Sequence, residues 1–514
     1  MVLEIVINVS EYETRVALLE DSKLVELLVE RPENQKIAGN IYKGVVKSIF
    51  PGMQAAFIDV GLGKNCFLHV SDMGDFSDSA RQMFDIEETP EEEERAHRRR
   101  SGPPRIEHLL EKEQEILVEV TREAIGTKGP RVTTQVTLPG RYVVLIPGQR
   151  HVGTSKKIED WQEKKRLKQI LRELRNGDYG LIARTVGAGR SPREFRSDIK
   201  NLLKEWGHIQ KQAHKKKAPC LLHRDVDLIG SVIRDLLTPE VEGIIVDHKP
   251  TFKSIIGYLK PVAPQLRSKV RLYQEKIPLF DALGIESEID KMFSRKIWLK
   301  RGGYIVIDQT EALVTIDVNT GRFVGKQSQE ETILQTNLEA TKEIARQIRL
   351  RDIGGLIIVD FIDMTSRGNE RRLYEEFREA FRRDRAKNAF APVSEFGLIE
   401  MTREKVGPSL LHELSDPCPV CDGSGRVLSK ETIALKIERW FMRAKAVSEE
   451  RDYRLVIHPT LSDLMLSRED NRLKNLNKQL HLNIELVTDR NLLPQEFKVF
   501  SVAENREITE RFAG

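Results

Sequence analysis

At 514 residues the chain is long enough for three or four domains. Charged residues make up 32% of it and aromatic residues only 6%, and a net charge of +4 does not by itself identify a polyanionic partner. Four cysteines (Cys66, Cys220, Cys418, Cys421) are too few for a disulfide framework. No apolar run approaches the roughly 20 residues needed to cross a bilayer, and the start M-V-L-E-I-V-I-N-V has no basic n-region or cleavage site. The expectation is a soluble, cytoplasmic protein without stable membrane insertion.

In chain order, residues 2–31 alternate apolar and polar positions, which predicts a small antiparallel meander closed at Pro32 and Asn34. Residues 37–73 read as short strands with glycine turns and interleaved Lys43, Lys47 and Lys64, a small barrel. This stretch resembles the OB-fold RNA-binding domain first named in a small-subunit ribosomal protein. In that resemblance Phe57, Phe67 and His69 lie on a face where bases stack, although strand aromatics are more often core. Residues 75–105 run from Glu91–Glu94 to Arg98–Arg100 and predict a charge-segregated, mobile insertion, after which the barrel resumes with I-L-V-E-V at 116–120. Farther on, G-L-I-A-R-T-V-G-A-G-R predicts a strand ending in Arg184 and Thr185, followed by Gly187 and Gly189. An arginine fork with a hydroxyl can grip a phosphate, but from these residues alone a glycine turn with a surface arginine is the favoured reading. A basic helix over 191–217 and alternating strands and helices over 220–292 follow. The opening meander has no partner of its own and is expected to pair with the latter segment.

Residues 304–364 carry the strongest chemical signal. Two short β-branched-rich runs each end in an aspartate, Asp317 after A-L-V-T-I and Asp360 after G-L-I-I-V. Between them Ile333, Leu334, Leu338, Thr341, Ala345 and Ile348 recur at helical spacing, with Glu330 and Glu331 at the start and Arg346, Arg349 and Arg351 at the end. A strand–helix–strand unit makes its strands parallel, so both carboxylates emerge at one sheet edge, where they suit a hard divalent cation such as Mg2+. Asn319 falls two residues past Asp317, on the same strand face. The competing reading is that the aspartates cap or solvate an edge.

Next, D-P-C-P-V-C-D-G-S-G at 416–425 gives Cys418 and Cys421 the spacing of a zinc knuckle. With only two local thiols, the economical site is a Zn2+ shared between two chains. Residues 427–514 read as a small α/β domain.

Taken together, T-I-D-V-N, G-L-I-I-V-D-F-I-D-M and D-P-C-P-V-C-D-G-S-G, in this order, resemble the bacterial RNase E/RNase G endoribonucleases over nearly the whole chain. The resemblance implies an α/β multidomain fold: an RNase H-like domain (1–36 and 220–292) interrupted by an OB-fold barrel (37–120) and a 5′-sensor region (121–219). A DNase I-like catalytic domain (293–414), a zinc-link (415–426) and a small α/β oligomerisation domain (427–514) complete it. It implies that Asp317 and Asp360 hold catalytic Mg2+ with Asn319 in support, and that Lys387 is a basic active-site residue. It implies that Phe57, Phe67 and Arg122 contact RNA, and that Arg184, Thr185 and backbone near Gly129 read a 5′-monophosphate. It also implies that Cys418 and Cys421 form a structural Zn2+ link in a homodimer or tetramer. The expected activity is cleavage of single-stranded RNA in rRNA maturation and mRNA decay. The absence of a long Pro/Arg-rich tail favours the compact RNase G type over a short RNase E. A non-catalytic RNA-binding or ribosome-associated protein and a DNA endonuclease are the competing functions.

Overall fold

The computed structural model describes residues 2–32, 36–73, 84–87, 105–124, 128–237, 240–262, 264–321, 329–405, 409–421, 423–467 and 471–512. The chain is a mixed α/β protein that divides into two compact units, Met1–Glu413 and Leu414–Gly514.

The first unit opens with β1 (Leu3–Val9), β2 (Thr14–Glu20) and β3 (Lys23–Glu30), an antiparallel meander. Then come β4 (Ile41–Phe50), β5 (Ala55–Asp59) and β6 (Cys66–His69), followed by β7 (Phe84–Glu87), β8 (Glu115–Arg122) and β9 (Arg131–Thr133). Pairing runs β4–β5–β6–β9–β8 and returns from β8 to β4, which closes a five-stranded barrel consistent with an OB-fold. Strand alternation sorts its side chains: Ala56, Ile58, Cys66, Leu68, Val118, Val120 and Val132 fill the interior. The closing strand β9 lies outside the 37–120 span expected of the barrel. That span stops at the last obvious apolar run, whereas a barrel needs one more edge paired.

A sheet of β10 (Leu138–Pro139), β11 (Val143–Pro147), β12 (Val152–Ser155) and β13 (Tyr179–Ala183) packs against the helices Trp161–Leu174 and Pro192–Lys215. Its fifth strand is β7, paired antiparallel to β12. Part of the 75–105 insertion is therefore an edge strand of a neighbouring sheet rather than a mobile barrel loop. A four-residue strand inside a charged segment is too short for periodicity to reveal. The rest of that segment's expected features, including Glu91–Glu94 and Arg98–Arg100, lie outside the described residues.

After β14 (Cys220–His223), which joins the barrel through β4 rather than the segment that follows it, β15 (Val241–Val246) and β16 (Val270–Leu272) return to the meander. The resulting order is β16-β15-β1-β2-β3, with β15 parallel to both β1 and β16. The helices Leu228–Asp235 and Lys249–Val262 bury Val232, Ile233, Ile255 and Leu259 against it.

A six-stranded sheet follows: β17 (Lys296–Trp298), β18 (Tyr304–Gln309), β19 (Leu313–Asn319), β20 (Gly355–Asp360), β21 (Asn388–Phe390) and β22 (Leu398–Arg403), in the order β17-β18-β19-β20-β22-β21. The helices Gln329–Leu350 and Arg367–Ala380 cover one face, where Ile305, Ile307, Ile316, Val318, Ile357, Val359, Ile399 and Met401 pack on Ala340, Ile344, Ile348, Leu373 and Phe377. The alternate residues of the same strands face the opposite way, where Thr315, Asp317, Leu356, Asp360, Glu400 and Thr402 are exposed.

The second unit carries β23 (Asp452–Ile457), β24 (Asn483–Thr488), β25 (Phe497–Ser501) and β26 (Arg506–Glu507), in the order β24-β23-β25-β26. The helix Lys430–Val447 supplies Ile437, Trp440 and Phe441 to its core. Two further helices, Pro459–Met465 and Arg472–Leu480, complete it.

Candidate active site

Asp317 and Asp360 are register partners: β19 and β20 run parallel, and Leu313 to Asp317 stand opposite Leu356 to Asp360 in step. The crossover helix Gln329–Leu350 makes this parallel arrangement possible, since such a connection joins two strands pointing the same way. Both carboxylates therefore stand side by side on the open face. The Asn319 amide donates to Asp317 Oδ2 at 2.7 Å, fixing that carboxylate by a bond from the same strand face. Burial, and then the charges of Asp317 and Asp363, hold the Asp360 carboxyl above its ordinary value. Two oxygen ligands that repel each other fit a hard cation, which favours oxygen donors and retains waters. Among the described residues no group of three or more His, Cys, Asp or Glu side chains converges as a metal site. The pair would give a hard cation two protein oxygens and leave the rest of its coordination to water. Beside Asp360, a cavity of about 320 Å³ is lined by Phe361, Asp363, Glu370, Glu395 and Phe396 among others.

Lys387 is not brought to this pair. Its carbonyl accepts from Glu404 N, next to the register Asn388–Arg403–Gly355, whereas Asp360 pairs with Leu398 at the other end of the strand. Six residues of strand separate the two levels, about 20 Å at ~3.3 Å per residue.

On the barrel, Phe57 and Phe67 point outward between inward Ala56, Ile58, Cys66 and Leu68, and are half-buried. Their rings lie 5.9 Å apart, and Phe50 extends the row to one side at 5.5 Å from Phe57 while His69 extends it to the other at 6.4 Å from Phe67. His69 Nδ1 also accepts from Ser71 N. Arg131, ion-paired with Asp72 at 2.7 Å, stands opposite Phe67, and exposed Arg122 stands opposite Arg131 at the edge of the aromatic row. Phe50 and Arg131 escaped the sequence reading: Phe50 abuts a Pro-Gly turn, and Arg131 belongs to a three-residue strand. Alternation from Phe57 backwards across that turn would have found Phe50.

Arg184 and Thr185 lie at the end of β13. The Arg184 guanidinium donates to Gly140 O at 2.6 Å and pairs with Asp235 at 2.7 Å. Thr185 Oγ1 donates to Ser155 Oγ at 3.0 Å. The arginine fork is thus held by the chain itself, one arm on a carboxylate that an anion would have to share. Gly140, Ser155 and Asp235 come from separate stretches and could not be read from the sequence. Gly129 lies against the barrel, where a Cβ would stand 2.3 Å from Asn65 O.

In the second unit Cys418 is exposed and Cys421 half-buried. N–H groups of Val420 and Cys421, then the Cys421 side chain, lower the Cys418 thiol below its ordinary value, and Gly425 N donates to Cys421 Sγ at 3.3 Å. Gly423 and Gly425 adopt φ of +81° and +69°, which wraps the backbone back toward the sulfurs. The two thiols thus stand three residues apart on a turn whose glycines fold the backbone back toward them.

The profile of the Ribonuclease E/G family matches residues 137–406, just over half of the chain. Ribonuclease G of Escherichia coli (strain K12) is 37% identical over 489 residues, covering 94% of this chain and 97% of that relative. The chain belongs to the ribonuclease E/G family. Ribonuclease G of Haemophilus influenzae is likewise 37% identical, over 92% of the chain and 93% of its own length. Ribonuclease E of the same organism is 36% identical over 97% of the chain but only 52% of itself. Within the ribonuclease E/G family the chain is thus ribonuclease G-like in extent. No helix among the described residues is long and apolar enough to cross a membrane.

Proposed function

We propose that this protein is a magnesium-dependent endoribonuclease that cleaves single-stranded RNA, favours 5′-monophosphorylated substrates and acts in rRNA maturation and mRNA decay. The observation that carries this reading is the in-register pairing of Asp317 with Asp360 on the open sheet face, in a member of the ribonuclease E/G family. Asp317 and Asp360 would hold the cation and accept hydrogen bonds from the attacking water, and Asn319 keeps Asp317 in its working rotamer. When bound, magnesium supplies a Lewis acid and a more nucleophilic water. Lys387, remote by register from the pair, is given no part in bond cleavage. The aromatic row Phe57, Phe67 and His69, with Arg122 at its edge, takes unpaired bases. The sheet order β16-β15-β1-β2-β3 supports the RNase H-like assignment, and the helix-covered six-stranded sheet supports the DNase I-like one. Incubating labelled RNA and DNA of one sequence with the protein, with and without magnesium, tests the activity. Cleavage of RNA alone, and only with magnesium, is expected. Cleavage of DNA makes it a DNA endonuclease, and binding without cleavage makes it a non-catalytic RNA-binding protein.

Arg184 and Thr185 are assigned to the RNA 5′ end. A terminal monophosphate offers more charge and more oxygens than an internal diester, and a guanidinium already positioned by Gly140 and Asp235 needs little reorganisation to receive it. Arg184→Gln should slow cleavage of 5′-monophosphorylated RNA about tenfold, the worth of one charged hydrogen bond, and leave 5′-hydroxyl RNA unchanged at the same salt. Equal fractional losses on both substrates overturn the assignment.

Cys418 and Cys421 are assigned to a Zn2+ shared by two protomers of a homodimer or tetramer. Metal analysis should give about one zinc per two chains, the stoichiometry of a four-thiolate site. Cys418→Ser should lose the metal and sediment as a smaller species, whereas one zinc per chain in a stable monomer contradicts a shared site.

A further inference from the structure

The open face that carries the carboxylate pair also carries an aromatic group of its own. In the antiparallel register Trp298 stands opposite Tyr304, and Tyr304 opposite Asn319. One level along, Lys296 stands opposite Val306, and Val306 opposite Asp317. Directly opposed residues share a face, so Trp298, Tyr304 and Lys296 lie on the same side of the sheet as Asp317 and Asp360. Ile297, between them in sequence, points to the other side and packs on the core. Trp298 is 61% exposed, although its strand had a buried face available for an indole. Its ring lies 5.3 Å from that of Tyr304 at an interplanar angle of 62°. Lys296 Nζ sits 3.5 Å from the Tyr304 ring centroid and 4.2 Å from that of Trp298, which holds the cation on this surface rather than loose in solvent. Two strand spacings, about 10 Å, separate β17 from the strand of Asp317.

We propose that Trp298, supported by Tyr304 and Lys296, is a stacking platform for an unpaired nucleobase next to the scissile phosphate. The occupant must be flat, carry negative charge close by, and be joined covalently to a phosphate at the carboxylate pair. A nucleotide of single-stranded RNA meets all three requirements, and a base paired in a duplex cannot present its face. The platform therefore makes the cleavage centre itself select single strands, independently of the barrel. This rests on cleavage taking place at Asp317 and Asp360.

The test uses a short single-stranded RNA with one cleavage site and a series in which each nucleotide around that site is abasic in turn. Wild type should lose about tenfold in kcat/KM when the base at one position beside the scissile phosphate is removed, within the range for loss of one base–aromatic stack. Trp298→Ala should show that loss on the intact RNA and no further loss on the abasic one. Trp298→Phe, which keeps a ring, should behave as wild type. The platform is refuted if wild type tolerates every single abasic position, or if Trp298→Ala, with an unchanged melting temperature, is as sensitive as wild type to each. Asp317→Asn assayed in parallel separates the two readings: its continued cleavage removes the assigned centre, whereas its inactivity with an indifferent Trp298→Ala removes only the platform.

Discussion

Asp317→Asn and Asp360→Asn are each expected to reduce RNA cleavage by about a thousandfold or more while leaving RNA affinity within a few-fold of wild type. The reduction corresponds to the several kcal/mol that a bound metal contributes to charge stabilisation and water activation. Each replacement keeps the shape of the side chain but removes one of the two carboxylates that stand in register. Affinity survives because the surfaces assigned to RNA, the aromatic row on the barrel and the Arg184 region, lie in other sheets. Asn319→Ala should lose less, since it only frees the Asp317 rotamer that the 2.7 Å bond restrains. Cleavage should be followed at limiting magnesium, where a weakened site cannot be rescued by mass action. Either aspartate variant cleaving at close to the wild-type rate under those conditions removes the pair from the chemistry.

The second large effect concerns stability. Arg403, at the end of β22, has a side chain only 6% exposed and meets Asp384, 2% exposed, through Nε at 2.7 Å and a second arm at 3.1 Å. Its remaining nitrogen donates to Asp352 at 2.8 Å and to the Ile353 carbonyl at 3.0 Å. One guanidinium thus ties the turn before β21 to the segment that leads into β20, the strand that ends in Asp360. Arg403→Met should destabilise the protein by about 3–5 kcal/mol, because it leaves Asp384 buried without its partner. Chemical denaturation at neutral pH should show a lower midpoint, and a loss under about 1 kcal/mol, the worth of an exposed pair, contradicts the buried reading. The pH dependence has a defined sign. Burial pushes the Asp384 carboxyl up, but the bonds and charge of Arg403, then Asn388 and Ala386, outweigh it and hold it below its ordinary 3.8. A depressed carboxylate stabilises the fold above that ordinary value and loses its contribution as pH falls through the lower folded value. The difference between wild type and Asp384→Asn should therefore be constant near neutrality and shrink only in acid below pH 3.8.

Legibility from sequence followed the range of the interactions involved. Asp317 and Asp360 were legible because each ends a short β-branched run and a helical period lies between them. Those local facts force parallel strands with their ends on one side. The neighbouring thiols and the glycines that turn the backbone toward them were legible because they fall within ten residues. Phe57 and Phe67 were legible only as alternatives, since an isolated strand does not say which face is solvated. Barrel closure through Arg131–Thr133 decided it by filling the interior with Ile58, Leu68 and Val132 and leaving the rings outside.

By itself, then, the sequence determined whatever rests on period and spacing: the strand–helix–strand unit, its two carboxylates, the spacing of the two thiols, and the motifs that mark the ribonuclease E/G family. Tertiary structure alone decided what depends on strands far apart in the chain. Pairing of β7 with β12 put part of a charged insertion into a sheet. Register across β20, β22 and β21 set Lys387 about 20 Å along the strands from the level of Asp360. The approach of Gly140 and Asp235 to Arg184 turned a surface arginine into a held one. Opposition of Trp298, Tyr304 and Asn319 across three strands gathered aromatic rings beside the aspartates. The physical reason is placement across the chain: strand register fixes which side chains share a face, a helix end brings Asp235 to Arg184, and no local period encodes either.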